Sequence, residues 1–218
     1  MSIERISTEN RREQITEAAL NLIATQGVGS VSMATLARRI GVVPSAIYRH
    51  FESKDKVLDS VLELLREKLL GNVSIVRKES ADPLDQLKRL FARHVRLILD
   101  YQALPRLIFS GDIYDRHPER KKALFKIVTA YLGAVAEIIR EGQSGGLIEP
   151  DLDPNMLAVV FLGLIQPTAI LWHLSDGEFD AGKQAERAWP FFCEALDTKK
   201  AGKSTYQKGK KDEKDKSL

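Results

Sequence analysis

One cysteine, Cys193, stands in a chain of 218 residues. That excludes an intramolecular disulfide and any cysteine-rich metal site, and its setting in Phe191-Phe192-Cys193 suggests an inert buried thiol. The four histidines, His50, His94, His117 and His173, lack ligand spacing such as His-x-x-x-His, and no acidic pair stands out, so neither a metal nor a catalytic centre is expected. The stretch from Gly142 to Gly146 lacks the Lys-Ser/Thr that a phosphate loop requires, and no cofactor is expected. Glycine and proline are sparse, at 14 and 8 residues, and cluster at a few points. The long intervals between them are rich in Leu, Ala, Glu, Lys and Arg, which favours helices over strands. Long hydrophobic runs are missing too. The most apolar stretch, Met156 to Leu174, is interrupted by Gln166, Pro167, Thr168 and His173, and its unbroken part is far shorter than the ~20 residues of a membrane span. A buried helix is the better reading. The opening residues, Met1 to Arg5, show no signal-peptide core, so a cytoplasmic protein with no membrane partner is expected.

Nor is there an excess of one charge where nucleic acid would be held. The net charge of +3 comes from 33 Lys+Arg against 30 Asp+Glu. Residues 198–218 hold eight Lys and three Asp+Glu, so everything before them is net −2. Residues 1–60 carry eight Lys+Arg against seven Asp+Glu. Bulk basicity therefore supports no nucleic-acid argument; only local placement of charge can.

What is present is helical periodicity with clear punctuation. Thr8 and its neighbours offer capping groups before Ile15, Ala18, Ala19, Leu22 and Ile23, which share one face; Gly27 suits the left-handed position after the helix. Ser32 caps a second helix with Leu36, Ala37 and Ile40 inward, and Gly41 closes it. Pro44 opens a third, Ser45 to His50, with Ile47 and Phe51 pointing inward. Ser53 caps a fourth, carrying Val57, Leu58, Val61, Leu62 and Leu65. Two short helices joined by the tight Gly41-Val42-Val43 connection form a helix-turn-helix, in which the second helix projects from a small apolar core. Its outer face offers Ser45, Ala46, Tyr48, Arg49 and His50, small side chains mixed with hydrogen-bonding and cationic ones.

The string from Ser32 to Phe51, with Leu36-Ala37, Gly41-Val42 and Tyr48-x-His50-Phe51, followed by Ser53-Lys54 and Val57-Leu58, resembles the DNA-binding domain of the TetR family of bacterial regulators. The likeness spans about residues 9–69, with the motif at 32–51. One departure is visible: position 43, where the family usually carries a capping Ser, is Val. The resemblance implies that Tyr48 and Lys54 hold phosphates, the latter with the N-terminus of the fourth helix. It places Ser45, Ala46 and Arg49 nearest base edges, Thr35 beside the backbone, and His50 within the same group. Arg49 fits either a guanine or a phosphate, and His50 either a DNA contact or a buried hydrogen-bonded role.

The resemblance implies an all-α architecture in two parts: the three-helix DNA-binding domain and, over residues 70–197, a helical bundle for ligand binding and dimerisation. Asp82-Pro83 and His117-Pro118 each start a long helix, and two more cover about 155–174 and 181–197. Residues 198–218 have almost no apolar side chains and are expected to be disordered. The resemblance makes the last two helices a homodimer interface, with Phe161, Leu164, Thr168, Trp189 and Phe192 as candidates; a larger monomeric core is the alternative. Phe91, His94, Phe109, Tyr114, Phe125, Tyr131, Gln166 and Trp172 are candidates for a small-molecule pocket, or else plain core. Pro167 should bend its helix and free a carbonyl near Gln166. The expected protein is a homodimeric repressor of a palindromic double-stranded operator, released by an unknown effector. The rival is a helical adaptor without specific DNA binding.

Overall fold

The computed structural model describes residues 8–101 and 117–196. Among them are eight α-helices and one 3-10 turn, with no strand. Helix α1 (Thr8–Gln26) buries Ile15, Ala18, Ala19, Leu22 and Ile23, the face marked by its period. Gly27 does take positive φ, 82°, but its ψ of 168° is extended. The expected left-handed cap is therefore corrected: the chain leaves α1 through this extended glycine into the 3-10 turn Val28–Ser30, where Ser30 Oγ donates to the Leu22 carbonyl of α1.

Helix α2 (Met33–Ile40) begins with a reciprocal capping box. Ser32 Oγ accepts the Thr35 N–H at 3.1 Å, and the Ser32 N–H donates to Thr35 Oγ1 at 2.8 Å. Gly41 ends it at φ 74° and ψ 35°, a left-handed conformation costly for any residue with a Cβ. Helix α3 (Pro44–Tyr48) is shorter than its sequence period suggested, and Val43 supplies no side-chain cap. Ile47 and Phe51 are buried and anchor it to α1 and α2.

Helix α4 (Lys54–Glu79) runs for 26 residues and is capped by Ser53. Its first half packs on α1, where Thr16 Oγ1 and Ser60 Oγ share a 2.8 Å hydrogen bond. Its second half enters a bundle with α5 (Pro83–Asp100), α6 (Pro118–Ser144) and α7 (Pro154–Leu174), which α8 (Ala181–Leu196) completes. Helices α4 and α6 run side by side in the same direction, joined by Arg120 to Asp55 and Asp59 at one end and Arg77 to Glu141 at the other. At that far end the Glu149 N–H donates to the Leu196 carbonyl at 3.1 Å, tying the end of α8 to the loop after α6.

Helix α7 is long and apolar enough to cross a membrane by composition alone, and two-thirds of its most apolar window is not buried. Leu157, Ala158, Phe161, Ile165, Thr168 and Ala169 face the bundle. Met156, Val159, Val160, Ile170, Leu171 and Leu174 face outward, at the same helical period half a turn away.

Val43 is expected to be a poor cap in energetic terms. Val43→Ser should stabilise the protein by about 0.5–1 kcal/mol, read as a higher urea midpoint at unchanged slope.

Candidate nucleic-acid interface and buried cavity

The α2–α3 unit presents one outward surface. Ser45, Tyr48 and Arg49 are exposed on α3 and its first following residue, with Ala46 half-buried beside them. Tyr48 is 56% exposed, so its hydroxyl is free to meet a ligand rather than closing the core. Arg38 and Arg39 are exposed in the last turn of α2, adding cationic groups to the same unit. Val43 also belongs to this surface, although the sequence offered it only as a missing cap. It is 64% exposed at the head of α3, and the signal available was an apolar residue where a cap belongs. The groove between α1 and α4 is unsuited to phosphate: Glu9, Glu13, Glu52, Asp59, Glu63 and Glu67 line it beside Arg12 and Lys56.

Three of the expected contact residues have structural employment. The Thr35 hydroxyl belongs to the Ser32 capping box and also donates to the Ser30 carbonyl at 2.9 Å. Lys54 Nζ donates to the Val28 carbonyl at 3.1 Å, tying the head of α4 to the turn after α1. Its ammonium retains two further donors for a phosphate. His50 is half-buried; its carbonyl accepts from Arg12, and its Nδ1 is buried with no partner among the described residues. Arg12 also lies over the Phe51 ring at 4.3 Å, bracing the end of the motif against α1.

Within the bundle, a cavity of about 40 Å³ lies between α4, α5, α6 and α7. His94, Tyr131 and Gln166 line it, among Leu65, Leu69, Leu97, Ile98, Val128, Leu162 and Ala169. His94 Nδ1 and the Tyr131 hydroxyl share a hydrogen bond of 2.9 Å. Burial pushes the His94 imidazole down to about 4 and the Tyr131 phenol well above its ordinary range, so both are neutral near pH 7. The cavity is therefore apolar, with one uncharged polar pair and one amide.

Other pocket expectations need correction. Phe91 is buried elsewhere, edge-on to Phe161 at 5.6 Å and 5.9 Å from Trp189, because its position on α5 turns it toward α7 and α8. Phe125 is 68% exposed, on the face of α6 away from buried Ile127 and Tyr131. Trp172 is half-buried outside the cavity lining. Phe109 and Tyr114 lie outside the described residues. Cys193 is half-buried and burial raises its thiol pKa, consistent with an inert role.

Three of the expected interface residues are corrected by their burial. Phe161, Thr168 and Phe192 are buried within the protomer, Phe161 meeting Phe192 at 5.6 Å and Thr168 donating to the Leu164 carbonyl. Leu164 and Trp189 are half-buried against the same core. The apolar face left open is Met156, Val159, Val160, Ile170, Leu171 and Leu174, with Phe191 of α8. A helix apolar on all sides gave no means of telling the two faces apart.

Residues 15–61 match the bacterial regulatory proteins of the tetR family, and residues 80–196 match the tetracyclin repressor-like C-terminal domain. A nucleoid occlusion factor, SlmA of Klebsiella pneumoniae subsp. pneumoniae, is 30% identical over 206 residues, covering 90% of this chain and 100% of its own. Among solved structures, the fatty acid degradation regulator FadR from Bacillus halodurans superposes with a TM-score of 0.73 at 22% identity, over 85% of this chain and 96% of that one. FadR from Bacillus subtilis, solved in complex with stearoyl-CoA, gives 0.70 at 22% identity, over 85% and 99%.

The buried histidine generates a pH test. An unfolded histidine titrates near its ordinary value of about 6.5, whereas His94 in the fold titrates at about 4. Below pH ~6.5 the unfolded chain gains a proton that the native state refuses, so stability falls as pH drops toward ~4, by up to about 3 kcal/mol. Urea unfolding of the wild type and His94→Gln should diverge across that window, with the variant showing the shallower loss.

Proposed function

The chain belongs to the TetR family of bacterial regulatory proteins, and from that premise we propose that it is a homodimeric repressor whose grip on a palindromic operator is released by an apolar ligand. The observation that carries the DNA-binding part is the open α3 surface of Ser45, Tyr48 and Arg49 on a motif whose inner face is fully engaged in core. In this reading Arg49 reads a guanine edge or grips a phosphate, Tyr48 and Lys54 hold phosphates, and Ser45 and Ala46 allow close approach. Thr35 sits beside the DNA backbone and His50 at its margin. Exposed Val43 supplies an apolar contact suited to a thymine methyl. The near-balanced charge of residues 1–60 makes a single domain a weak binder. Two copies double the contacts and set half-sites about one helical turn, ~34 Å, apart.

The open apolar face of α7 and Phe191 is the proposed dimer surface, since six large apolar side chains on one stripe call for cover. The cavity is the proposed effector site. At about 40 Å³ it holds only a few waters, so a larger guest must part the helices that line it. One wall is Leu65 and Leu69 of α4, the helix whose head carries the reading motif. Ligand and operator affinities are then reciprocally coupled. The lining of aliphatic groups and one neutral polar pair suits an apolar guest, and a related regulator was solved with stearoyl-CoA. The reading assigns no catalytic step and places the protein with the cytoplasmic DNA it regulates. Residues 9–69 form the reading domain, 70–197 the sensing and dimerising domain, and 198–218 a Lys-rich tail.

Footprinting on the DNA upstream of the protein's own gene should show a protected palindrome; no protection on any duplex would favour a partner-binding adaptor. Arg49→Ala should weaken specific binding by about 1–3 kcal/mol with less effect on random duplex, and equal losses on both would confine it to phosphate. Val159→Glu and Leu171→Glu should sediment as folded monomers, whereas Phe161→Glu should unfold the protomer. A dimer that survives both surface changes would refute the proposed face.

A further inference from the structure

A buried arginine joins the first turn of α6 to the first two turns of α4. The Arg120 side chain is 4% exposed. Its Nε donates to Asp59 Oδ1 at 2.9 Å, and its Nη2 donates to Asp55 Oδ1 at 2.8 Å and to the Asp55 carbonyl at 3.0 Å. Its Nη1 is buried with no partner among the described residues. Burial opposes the guanidinium charge, yet the hydrogen bonds to Asp55 and Asp59 outweigh it and raise the Arg120 pKa. The bond from Arg120 in turn lowers the Asp55 carboxyl, and His117 lies 3.7 Å from the same carboxylate.

Adhesion between the helices does not require this pair. An apolar side chain of similar size would hold two helices at least as well, without the desolvation of a guanidinium. What the planar fork adds is position. It spans carboxylates one helical turn apart and a backbone carbonyl, so α4 can neither slide nor roll on α6 without breaking a charge-assisted bond. The pair at the other end, Arg77 with Glu141, is half-exposed and restrains far less. The gripped turns of α4 are also part of the reading domain. Ser60 is bonded to Thr16 of α1, and Lys54 is bonded to Val28.

We propose that Arg120 is a positioning residue for DNA recognition: through Asp55 and Asp59 it sets the register of α4 on α6, and with it the placement of α3 relative to the bundle. The consequence for DNA rests on the regulator reading above; the geometric part does not.

The test uses the full chain with Cys193→Ser and nitroxide labels at Ala34→Cys on α2 and Lys126→Cys on α6, both exposed positions. Labelled protein is diluted with unlabelled protein, so that pulsed electron spectroscopy reads distances within one protomer. The parent should give one narrow distribution. Arg120→Met should keep its Tm within a few degrees yet roughly double the width or shift the mean, because register is lost while apolar contact is kept. Arg120→Lys, which keeps the charge without the fork, should also broaden it. On a palindromic duplex recovered by selection from random-sequence DNA, Arg120→Met should lose about tenfold in affinity through lost preorganisation, with random duplex unaffected. An unchanged distance distribution in Arg120→Met would overturn the proposal, whatever its Tm. So would a broadened distribution with specific affinity intact. Should Arg120→Met fail to fold, Arg120→Lys and Asp59→Asn give the same readings on folded protein. Failure to select any duplex would sink the regulator reading, and the distance data would still decide whether Arg120 sets register.

Discussion

Helix α4 must be buried in two places at once, and the rest of the molecule is arranged around that constraint. Over 26 residues it buries Val57, Leu58, Val61 and Leu62 near α1, then Leu65, Leu69, Val73 and Val76 toward α5 and α6. Neither core is complete without it. Helix α2 has eight residues and α3 only five, too few to persist alone. The bundle helices in turn need the far half of α4 as a wall for His94 and Tyr131. A single rod with no internal proline therefore serves as structural member of both parts, which is why movement in one cannot be indifferent to the other.

Helix boundaries were legible because the residues that set them act locally. Ser32, Ser53 and Asp82 accept first-turn N–H groups, and Pro44, Pro83 and Pro118 occupy first positions. Gly41 announced the turn for the same reason. The inward faces of α1, α2 and α5 were equally legible, because polar residues mark their opposite sides. Helix α7 offered no such contrast. With apolar residues all round, only the packing of Phe161 on Phe91 and Phe192 decides which face the protomer keeps.

Side-chain employment was the least legible feature. Thr35 and Lys54 read as candidate backbone contacts, and both turn out to stitch the motif together. Arg120 carried no sequence signal, since its meaning depends on two aspartates more than sixty positions earlier. Phe125 read as pocket lining because aromatic residues usually find cover, and it is exposed. Long-range polar geometry is invisible to periodicity, which reports only which face is apolar.

The bond between the Glu149 N–H and the Leu196 carbonyl has a practical consequence. It fastens the end of α8 at the pole of the bundle where Arg77 meets Glu141, while α3 lies at the opposite pole, beside Asp55. The rise of α4 between Asp55 and Arg77 separates the two by roughly 33 Å. Leu196 itself therefore sits on the side of the body remote from α3. A fluorescent label set on the last turn of α8 is clear of the reading face, whereas one on the first turn of α1 lies beside His50.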